Sequence, residues 1–281
     1  MLSDKTSKVA LVKGERGKEP VLKALDLIDF KTALAGYSTV LIKVNFITDM
    51  TWDTGATTDP VVVEAIIEKL RDLPVTVYVV ESDATITNAT KAFEKTGMKA
   101  MCDRVGVECI NLRYTKPKDK VKLIVPNEEV LGSVTVPKIV MESAVISAAK
   151  LKTHVNTGVT LGMKNMFGLL PDKFKAKYHA KGINKVIVDI NTVIKPQLTV
   201  IDGFVGMEGR GPVEGTPVNM NLIITSKDVV AADSTGCRVM GIDPHDVSHI
   251  RRAHEKGLGN IDDIEVLGEK IESVARKFKR N

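Results

Sequence analysis

Short apolar runs alternate along this chain with segments of helical spacing, and this alternation most limits how the chain can fold. The runs at 9–13, 39–44 and 75–80 are rich in Val, Leu and Ile, and a segment with helix signals follows each of them. Alternating strands and helices predict an α/β fold with a mostly parallel sheet flanked by helices. Aromatic residues make up only 4% of the chain, so Val, Ile, Leu and Ala must supply the core.

One segment departs from this alternation. Residues 122–126 and 133–136 are two short strand-like runs joined by a polar turn. Two such runs in succession predict a β-hairpin insertion at 121–136. The 281 residues are therefore interpreted as a single α/β domain, 1–281, although the length also allows two lobes, 1–145 and 146–281.

Charge and cysteine content exclude several classes of protein. The net charge is +5, but basic residues are interspersed with acidic ones and lack the stacking aromatics that nucleic-acid binding uses, so we expect no nucleic-acid partner. Cys102, Cys109 and Cys237 cannot all pair and form no CxxC, which favours a reducing compartment. No apolar run is long enough to span a bilayer. The sequence predicts a cytoplasmic protein without a membrane partner.

A basic, glycine-spaced segment is the strongest functional signal. The apolar run 143–149 predicts a buried strand, and Lys150, Lys152, His154 and Lys164 follow it among several glycines. We expect this segment to leave the strand for a turn and a helix, the place where open α/β sheets hold ligands. Because these cations repel one another, the pattern predicts a small anionic molecule bound among them.

The sequence gives ten candidate site residues. Aspartates at a strand end and on an apolar helix face extend the basic cluster, and Lys43 and Asn45 end another strand. Several have a structural alternative: the lysines of the basic cluster can extend into solvent, His154 can cap a helix, and Asp233 can form a salt bridge or capping hydrogen bond. The candidates are His154, Lys164 and Asp233 for catalysis, Lys43, Asn45, Lys152, Thr153, Asn165 and Arg210 for substrate binding, and Asp202 for a divalent metal.

Several motifs resemble one family throughout most of the chain. KLKTHVNTGVTLGMKNMFGLLP (150–171), VIDGFVGMEGRGPVEGTP (200–217) and KDVVAADSTGCRVMGIDP (227–244) are similar to the family of domain of unknown function 362, as are Lys43-Val-Asn45 and Thr58-Asp59-Pro60. The resemblance covers residues 38–260. Many relatives carry an appended ferredoxin-like segment for iron–sulfur clusters, which is not found in this sequence. The basic–histidine turn is more distantly similar to the lactate racemase family, where a lysine and a histidine hold a nickel cofactor.

Two functional hypotheses follow. The first is an enzyme that transfers a proton on a small anionic substrate or cofactor, as isomerases and racemases do with lysine, histidine and carboxylate groups. The second is a non-catalytic carrier of a metal, an iron–sulfur cluster or an organic cofactor for a redox partner. Three scattered cysteines provide no iron–sulfur motif within one chain, so a cluster would need a homodimer or other ligands. The cofactor is left open, with a divalent metal as one candidate.

Overall fold

The computed structural model describes residues 6–172 and 174–280. Its strands are β1 (Ser7–Lys13), β2 (Thr39–Lys43), β3 (Thr76–Glu81), β4 (Glu108–Asn111), β5 (Lys120–Ile124), β6 (Ser133–Pro137), β7 (Ala144–His154), β8 (Gly158–Thr160), β9 (Leu198–Arg210), β10 (Glu214–Ser226) and β11 (Ile264–Gly268). Its helices are α1 (Glu19–Leu27), α2 (Pro60–Leu70), α3 (Ala89–Lys95), α4 (Met98–Val105), α5 (Lys138–Met141), α6 (Gly162–Asn165), α7 (Ala176–His179), α8 (Ile183–Val193), α9 (Val229–Val239), α10 (Ser248–Glu255) and α11 (Ile271–Val274).

A single large sheet organises the fold. Within the described residues, nine strands form this sheet in the order β11-β1-β10-β9-β7-β2-β3-β4, with β8 paired beside β7. The strands from β9 to β4 run parallel, whereas β10 is antiparallel to both of its neighbours. The predicted α/β class with a mostly parallel sheet is confirmed. The sheet contains strands from both sides of residue 145, where the two lobes would meet.

The predicted hairpin is also confirmed. Strands β5 and β6 pair antiparallel as a separate two-stranded sheet, with Lys120 opposite Pro137 and Ile124 opposite Ser133. This hairpin lies between β4 and β7 in the chain, at the position that the sequence predicted. No helix among the described residues combines the length and the apolarity needed to cross a membrane.

Alternation of side chains along the strands divides the core between the two faces of the sheet. In β1, Val9 and Leu11 join one apolar cluster, while Ala10 and Val12 join the other. Neighbouring strands follow the same rule, because successive side chains point to opposite faces. The central parallel strands are therefore buried on both sides, which explains why their sequences are apolar throughout.

The strand order reverses between β2 and β7, and this reversal positions the site. From β2 the sheet extends through β3 and β4 in one direction, and from β7 through β9 in the other. Such a reversal leaves a crevice outside the carboxyl ends of the two strands, because the connections diverge to opposite sides. The helix that follows β2 begins at Pro60, and the Asp59 side chain accepts a hydrogen bond from Val61 N as an N-cap.

Candidate functional site

A cavity of about 350 Å³ opens at the carboxyl ends of β2, β3 and β7. Six of the ten predicted site residues line it, from three different parts of the chain. They are Lys43, Asn45, Lys152, His154, Lys164 and Asn165. Four others, Thr153, Arg210, Asp202 and Asp233, are not among the lining residues. Residues outside the ten candidates also line the cavity, chiefly Glu81, Ser82, Lys175 and His179.

The strand that carries the basic residues is longer than the sequence predicted. β7 does not end at Ala149 but continues to His154, because β9 on one side and β8 on the other provide backbone partners. Lys150, Lys152 and His154 therefore lie on the strand itself rather than in a turn after it. Since side chains alternate along a strand, these three share one face. Thr153 points to the other face, where its hydroxyl donates to Gly209 O at 2.9 Å.

Lys150, the first lysine on this face, has a buried acidic partner. Lys150 Nζ lies 2.8 Å from Asp202 Oδ2, and both side chains are fully buried. Asp202 also accepts hydrogen bonds from Asp59 N at 2.9 Å and from Phe204 N at 3.1 Å. Both carboxylate oxygens of the proposed metal ligand thus already have protein donors. No group of three or more His, Cys, Asp or Glu in residues 6–172 and 174–280 is placed to hold a metal ion.

The second lysine faces the cavity without an acidic partner. Lys152 is fully buried, and its Nζ donates to Ala56 O at 2.6 Å and lies 3.4 Å from Pro212 O. It forms no ion pair with any described residue. Burial and the nearby charges of Lys164 and Lys150 lower the pKa of Lys152 well below its ordinary value. A buried amine that has only carbonyl partners is the kind of group that an incoming anion stabilises.

Glu81 provides the acidic group of the cavity wall, and both of its carboxylate oxygens already have protein partners. Its Oε1 lies 2.8 Å from Lys43 Nζ, and its Oε2 accepts from Phe46 N at 3.0 Å. Gly168 packs directly against this pair, and a Cβ there would overlap the Lys43 amine and the Glu81 carboxylate. Glycine at 168 therefore allows the backbone to cover the pair. Burial lowers the pKa of Lys43, and the charge of Glu81 opposes that shift.

Two further lysines give the cavity an excess of positive charge. Lys164 Nζ has no hydrogen bond or ion pair among the described residues, and it lies 5.9 Å from the Phe167 ring centroid. Lys175 Nζ donates to Ser82 Oγ at 2.7 Å and lies 5.5 Å from the same ring. Burial lowers the pKa of both amines to about 8, helped for Lys164 by the charges of Lys175 and Lys43. We call Lys43, Lys152, Lys164 and Lys175 the cationic floor.

His154 is held as a neutral imidazole. Its Nδ1 accepts a hydrogen bond from Asn156 N at 3.1 Å, which assigns the proton to Nε2. The side chain is only 7% exposed. Burial, together with the charges of Lys164 and Lys152, lowers the pKa of His154 to about 2. His154 therefore offers a hydrogen-bond donor at Nε2 at any physiological pH.

A pair of amides connects the floor to the ends of β2 and β7. Asn165 Nδ2 donates to Lys43 O at 2.8 Å and to Ser147 Oγ at 3.1 Å, and its Oδ1 accepts from Asn45 Nδ2 at 3.1 Å. Asn45 Oδ1 and the Thr160 hydroxyl are buried and have no hydrogen-bond partner in the described part of the chain. Both residues line the cavity. Unpartnered buried oxygens are costly in an apolar surrounding, so they favour a polar guest or water.

Asp233 does not line the cavity, but it caps the helix that carries Lys164. Its Oδ1 accepts from Gly162 N at 2.7 Å and its Oδ2 from Met163 N at 2.9 Å, so a carboxylate on α9 caps the start of α6. Gly162 is required there because a Cβ would meet Asp233 Oδ1 at 2.9 Å. Burial raises the pKa of Asp233 to about 8, against the opposing effect of the two N–H groups. The arrangement matches the capping alternative, and it orients the helix that carries Lys164.

Residues 206–215, which are rich in glycine, lie in a β-ribbon. β9 runs on through Asp202 to Arg210, and β10 returns from Glu214, so the two strands pair along most of their length. The Arg210 side chain is 70% exposed and lies 3.6 Å from Glu214. Only the tip of the ribbon, Pro212 and Val213, lines the cavity.

The described part of residues 173–179, a basic run followed by Tyr178 and His179, contributes Lys175 and His179 to the cavity lining. Of the basic run 173–177, Lys173 lies outside the described residues. His179, at the end of α7, lines the cavity, and Tyr178 packs its ring edge-on to Phe167 with 5.5 Å between centroids. Glu81 and Lys175 were weaker signals in the sequence. The only hint was their position, at a strand end and in a basic run close to the glycine-spaced segment.

Comparisons with known proteins match a family model, a curated protein and a solved structure. The family described as "Domain of unknown function (DUF362)" matches residues 40–238. A thylakoid-associated protein of Synechocystis sp. is 26% identical over 228 residues, which cover 78% of this chain and 68% of that protein. A crystal structure of a Thermotoga maritima protein aligns with a TM-score of 0.42 and 14% identity, over 91% of this chain but only 61% of that one. These matches do not show the more distant likeness to lactate racemases.

Proposed function

This chain belongs to the family described as a domain of unknown function (DUF362), and because that description assigns no activity, we propose a function from the cavity itself. The cavity binds a small organic anion and transfers a proton on it. The Synechocystis relative is described as thylakoid-associated, which names a location and no reaction.

One observation carries the binding half of the proposal. The lysines of the cationic floor face one cavity, and Glu81, the carboxylate that lines it, is already engaged by Lys43 and two backbone N–H groups. Protonated amines at close range repel one another, and the repulsion grows in a medium of low dielectric constant. A carboxylate or phosphate placed among Lys152, Lys164 and Lys175 would relieve that repulsion.

The proton-transfer half depends on two groups with different protonation. Lys164 has no competing partner in the described residues and a pKa of about 8, so its amine can accept or return a proton near neutral pH. His154 is neutral and carries its proton on Nε2. A neutral imidazole of this kind can donate a hydrogen bond to an oxygen on which negative charge develops. Such a pair suits an isomerase or racemase-like reaction.

The carrier hypothesis gains no specific support. A metal or an iron–sulfur cluster needs several closely placed donors, and the described residues contain no such group of His, Cys, Asp and Glu. The cysteines are free, and Cys102 and Cys237 are buried. The enzyme hypothesis has a cavity with titratable groups, so it is the one we propose.

Ligand-induced thermal stabilisation tests the binding half. We expect inorganic phosphate and small carboxylates to raise the melting temperature of the wild-type protein in a saturable way. The variant Lys164→Met should bind them at least tenfold more weakly, since it removes the amine that lacks a protein partner. Lys122→Met, a matched change at an exposed position of the hairpin, should behave like the wild type. Equal stabilisation of Lys164→Met and wild type would refute the assignment.

Hydrogen exchange in D₂O tests the proton-transfer half. A panel of small 2-hydroxy, 2-amino and 2-oxo acids is incubated with the enzyme, and loss of the C–H signal is followed by ¹H NMR. We expect exchange on at least one acid with the wild type and with Lys122→Met, and none with Lys164→Met. Binding without exchange of any acid in the panel would support the proposed anion binding and contradict the proposed proton transfer.

A further inference from the structure

We infer that the guest is an amphipathic anion, with a carboxylate or phosphate head on the cationic floor and an aliphatic tail at the cavity mouth. This inference rests on the proposed anion site and specifies the class of its ligand. It comes from the side chains at the mouth of the cavity, which the proposed chemistry does not use.

Apolar side chains from four separate connections surround the mouth. Ile47 follows β2, Ile86 follows β3, Val155 lies in the β7–β8 turn, and Pro212 and Val213 form the tip of the β9–β10 ribbon. We call these five residues the apolar rim. Ile86 is 85% exposed and Val155 is 56% exposed. Isolated exposed apolar residues are ordinary, but a ring of them around a charged cavity is typical of a ligand site.

The most deeply buried charges and the most exposed apolar side chains of the cavity lie at different depths. The floor residues Lys43 and Lys152 are 1% and 0% exposed, whereas Ile86 and Val155 face water. A wholly polar guest would satisfy the floor and leave the rim hydrated. A guest with an aliphatic tail would satisfy both parts, because burying its methylene groups against the rim adds to the electrostatic attraction of the head.

The volume agrees with a head and a short tail. A cavity of about 350 Å³ accommodates roughly a dozen water-sized groups at ~30 Å³ each. A carboxylate with a tail of about eight carbons is of that size.

The position of the charges favours a free ligand over a membrane surface. Lys152 and His154 are at most 7% exposed, so they lie behind the rim and not on the face that would touch a bilayer. A lipid held in a membrane would have to bring its head group in past the rim while its tails stayed in the bilayer. A single-tailed molecule enters head first and leaves its tail at the mouth.

A chain-length series measured by isothermal titration calorimetry tests the inference. Acetate, butyrate, hexanoate and octanoate present one head with increasing tail length. We expect the Kd to fall by about fourfold for each added methylene, the equivalent of ~0.8 kcal/mol per buried methylene, and to level off when the tail fills the rim. Octanamide, which lacks the charge, should bind at least tenfold more weakly than octanoate.

Variants at the rim separate the tail from the head. In the double variant Ile86→Ser/Val155→Ser we expect the dependence on chain length to flatten while the acetate affinity stays within about twofold of wild type. Ile124→Ser is the matched control, because Ile124 is a similarly exposed aliphatic residue, 71% exposed, on the hairpin. It should retain the full chain-length dependence.

The outcomes distinguish this inference from the proposed function. A Kd that does not change with chain length, while acetate still binds, overturns the amphipathic guest and leaves the anion site standing. Failure of acetate, octanoate and phosphate alike to bind overturns both. Unchanged chain-length dependence in the double variant, or binding to phosphatidylglycerol vesicles that octanoate does not displace, overturns the assignment of the tail to the rim.

Discussion

Lys150 and Lys152 stand two residues apart on the same face of β7, and both are fully buried, yet their surroundings differ completely. Lys150 is 2.8 Å from Asp202 on the neighbouring strand. Lys152 has two carbonyl oxygens and no carboxylate. The β7–β9 register shifts between these two positions, so that Met207 stands opposite Lys152. Lys150 therefore has a counter-charge within the fold, whereas Lys152 has none and belongs to the site that we propose for an anion.

The same contrast holds for the regions around them. Near Lys150, Arg16 pairs with Asp59 at 2.6 Å, so two cations face two carboxylates, Asp59 and Asp202. In the cavity, lysines outnumber carboxylates. Balanced buried charge stabilises one conformation, whereas unbalanced buried charge costs stability until a counterion arrives. The difference separates the buried lysines that have a carboxylate partner in the fold from those that we propose bind an anion.

The largest expected effect lies in the balanced region. Asp202→Asn would leave Lys150 buried without its counter-charge, so we expect the free energy of unfolding to fall by about 3–5 kcal/mol. Urea denaturation monitored by circular dichroism measures this change. Glu214→Gln, which breaks an exposed pair, is the control and should change stability by less than about 0.5 kcal/mol. A loss below about 1 kcal/mol for Asp202→Asn would erase the contrast between the two lysines.

The corresponding change at Lys152 should lower ligand affinity and have little effect on stability. Lys152→Met removes an amine that no carboxylate balances, so we expect the free energy of unfolding without ligand to stay within about 1 kcal/mol of wild type, or to rise. Phosphate affinity, measured by calorimetry, should fall at least tenfold. A severely destabilised Lys152→Met would mean that both lysines are structural.

A pH series sharpens the comparison through the protonation of Lys164 and Lys175. Both have a folded-state pKa of about 8 against an ordinary value of 10.5. Between these pH values the folded state binds fewer protons than the unfolded state, so the free energy of unfolding without ligand should rise with pH. Anion affinity should fall, by about tenfold per pH unit above pH 8 if one proton is coupled. An affinity that is constant from pH 7 to about pH 10 would contradict the floor as the binding surface.

The smallest effect is expected outside both regions. Arg210→Met removes an exposed charge whose nearest carboxylate, Glu214, is 3.6 Å away. We expect stability to change by less than about 0.5 kcal/mol and phosphate affinity to stay within twofold. A large loss of affinity would restore Arg210 to the site where the sequence placed it.

Strand order explains which pairings the sequence could not reveal. The sequence predicts Asp202 at a strand end and Glu81 ends β3, but which lysine each carboxylate pairs with depends on neighbours in space. β9 lies beside β7, so Asp202 meets Lys150, and β3 lies beside β2, so Glu81 meets Lys43. Lys150 and Asp202 are 52 positions apart in the chain, and composition does not show which residues of two strands lie opposite one another.

The sequence is most informative about features that depend on a few neighbouring residues. Asp59 and Asp228 belong to a residue type favoured at N-caps, and both cap helix starts in the structure, because an N-cap needs only the next two or three residues. The end of β7 could not be predicted from neighbouring residues in the chain, because the strand is extended by pairing with β8 and β9. Asp233 was found as a buried acid, but its two backbone partners come from a segment 70 residues away.

The tip of the β9–β10 ribbon has an evolutionary consequence. Pro212 and Val213 form one wall of the cavity, at the end of a long antiparallel pairing. Pro212 O also accepts a hydrogen bond from Lys152 Nζ at 3.4 Å, so a change in the length or sequence of the tip would alter both the size of the compartment and the surroundings of one lysine. Divergence at these few positions among homologues is therefore expected to adjust what the compartment admits, while β2 and β7 keep their places in the sheet.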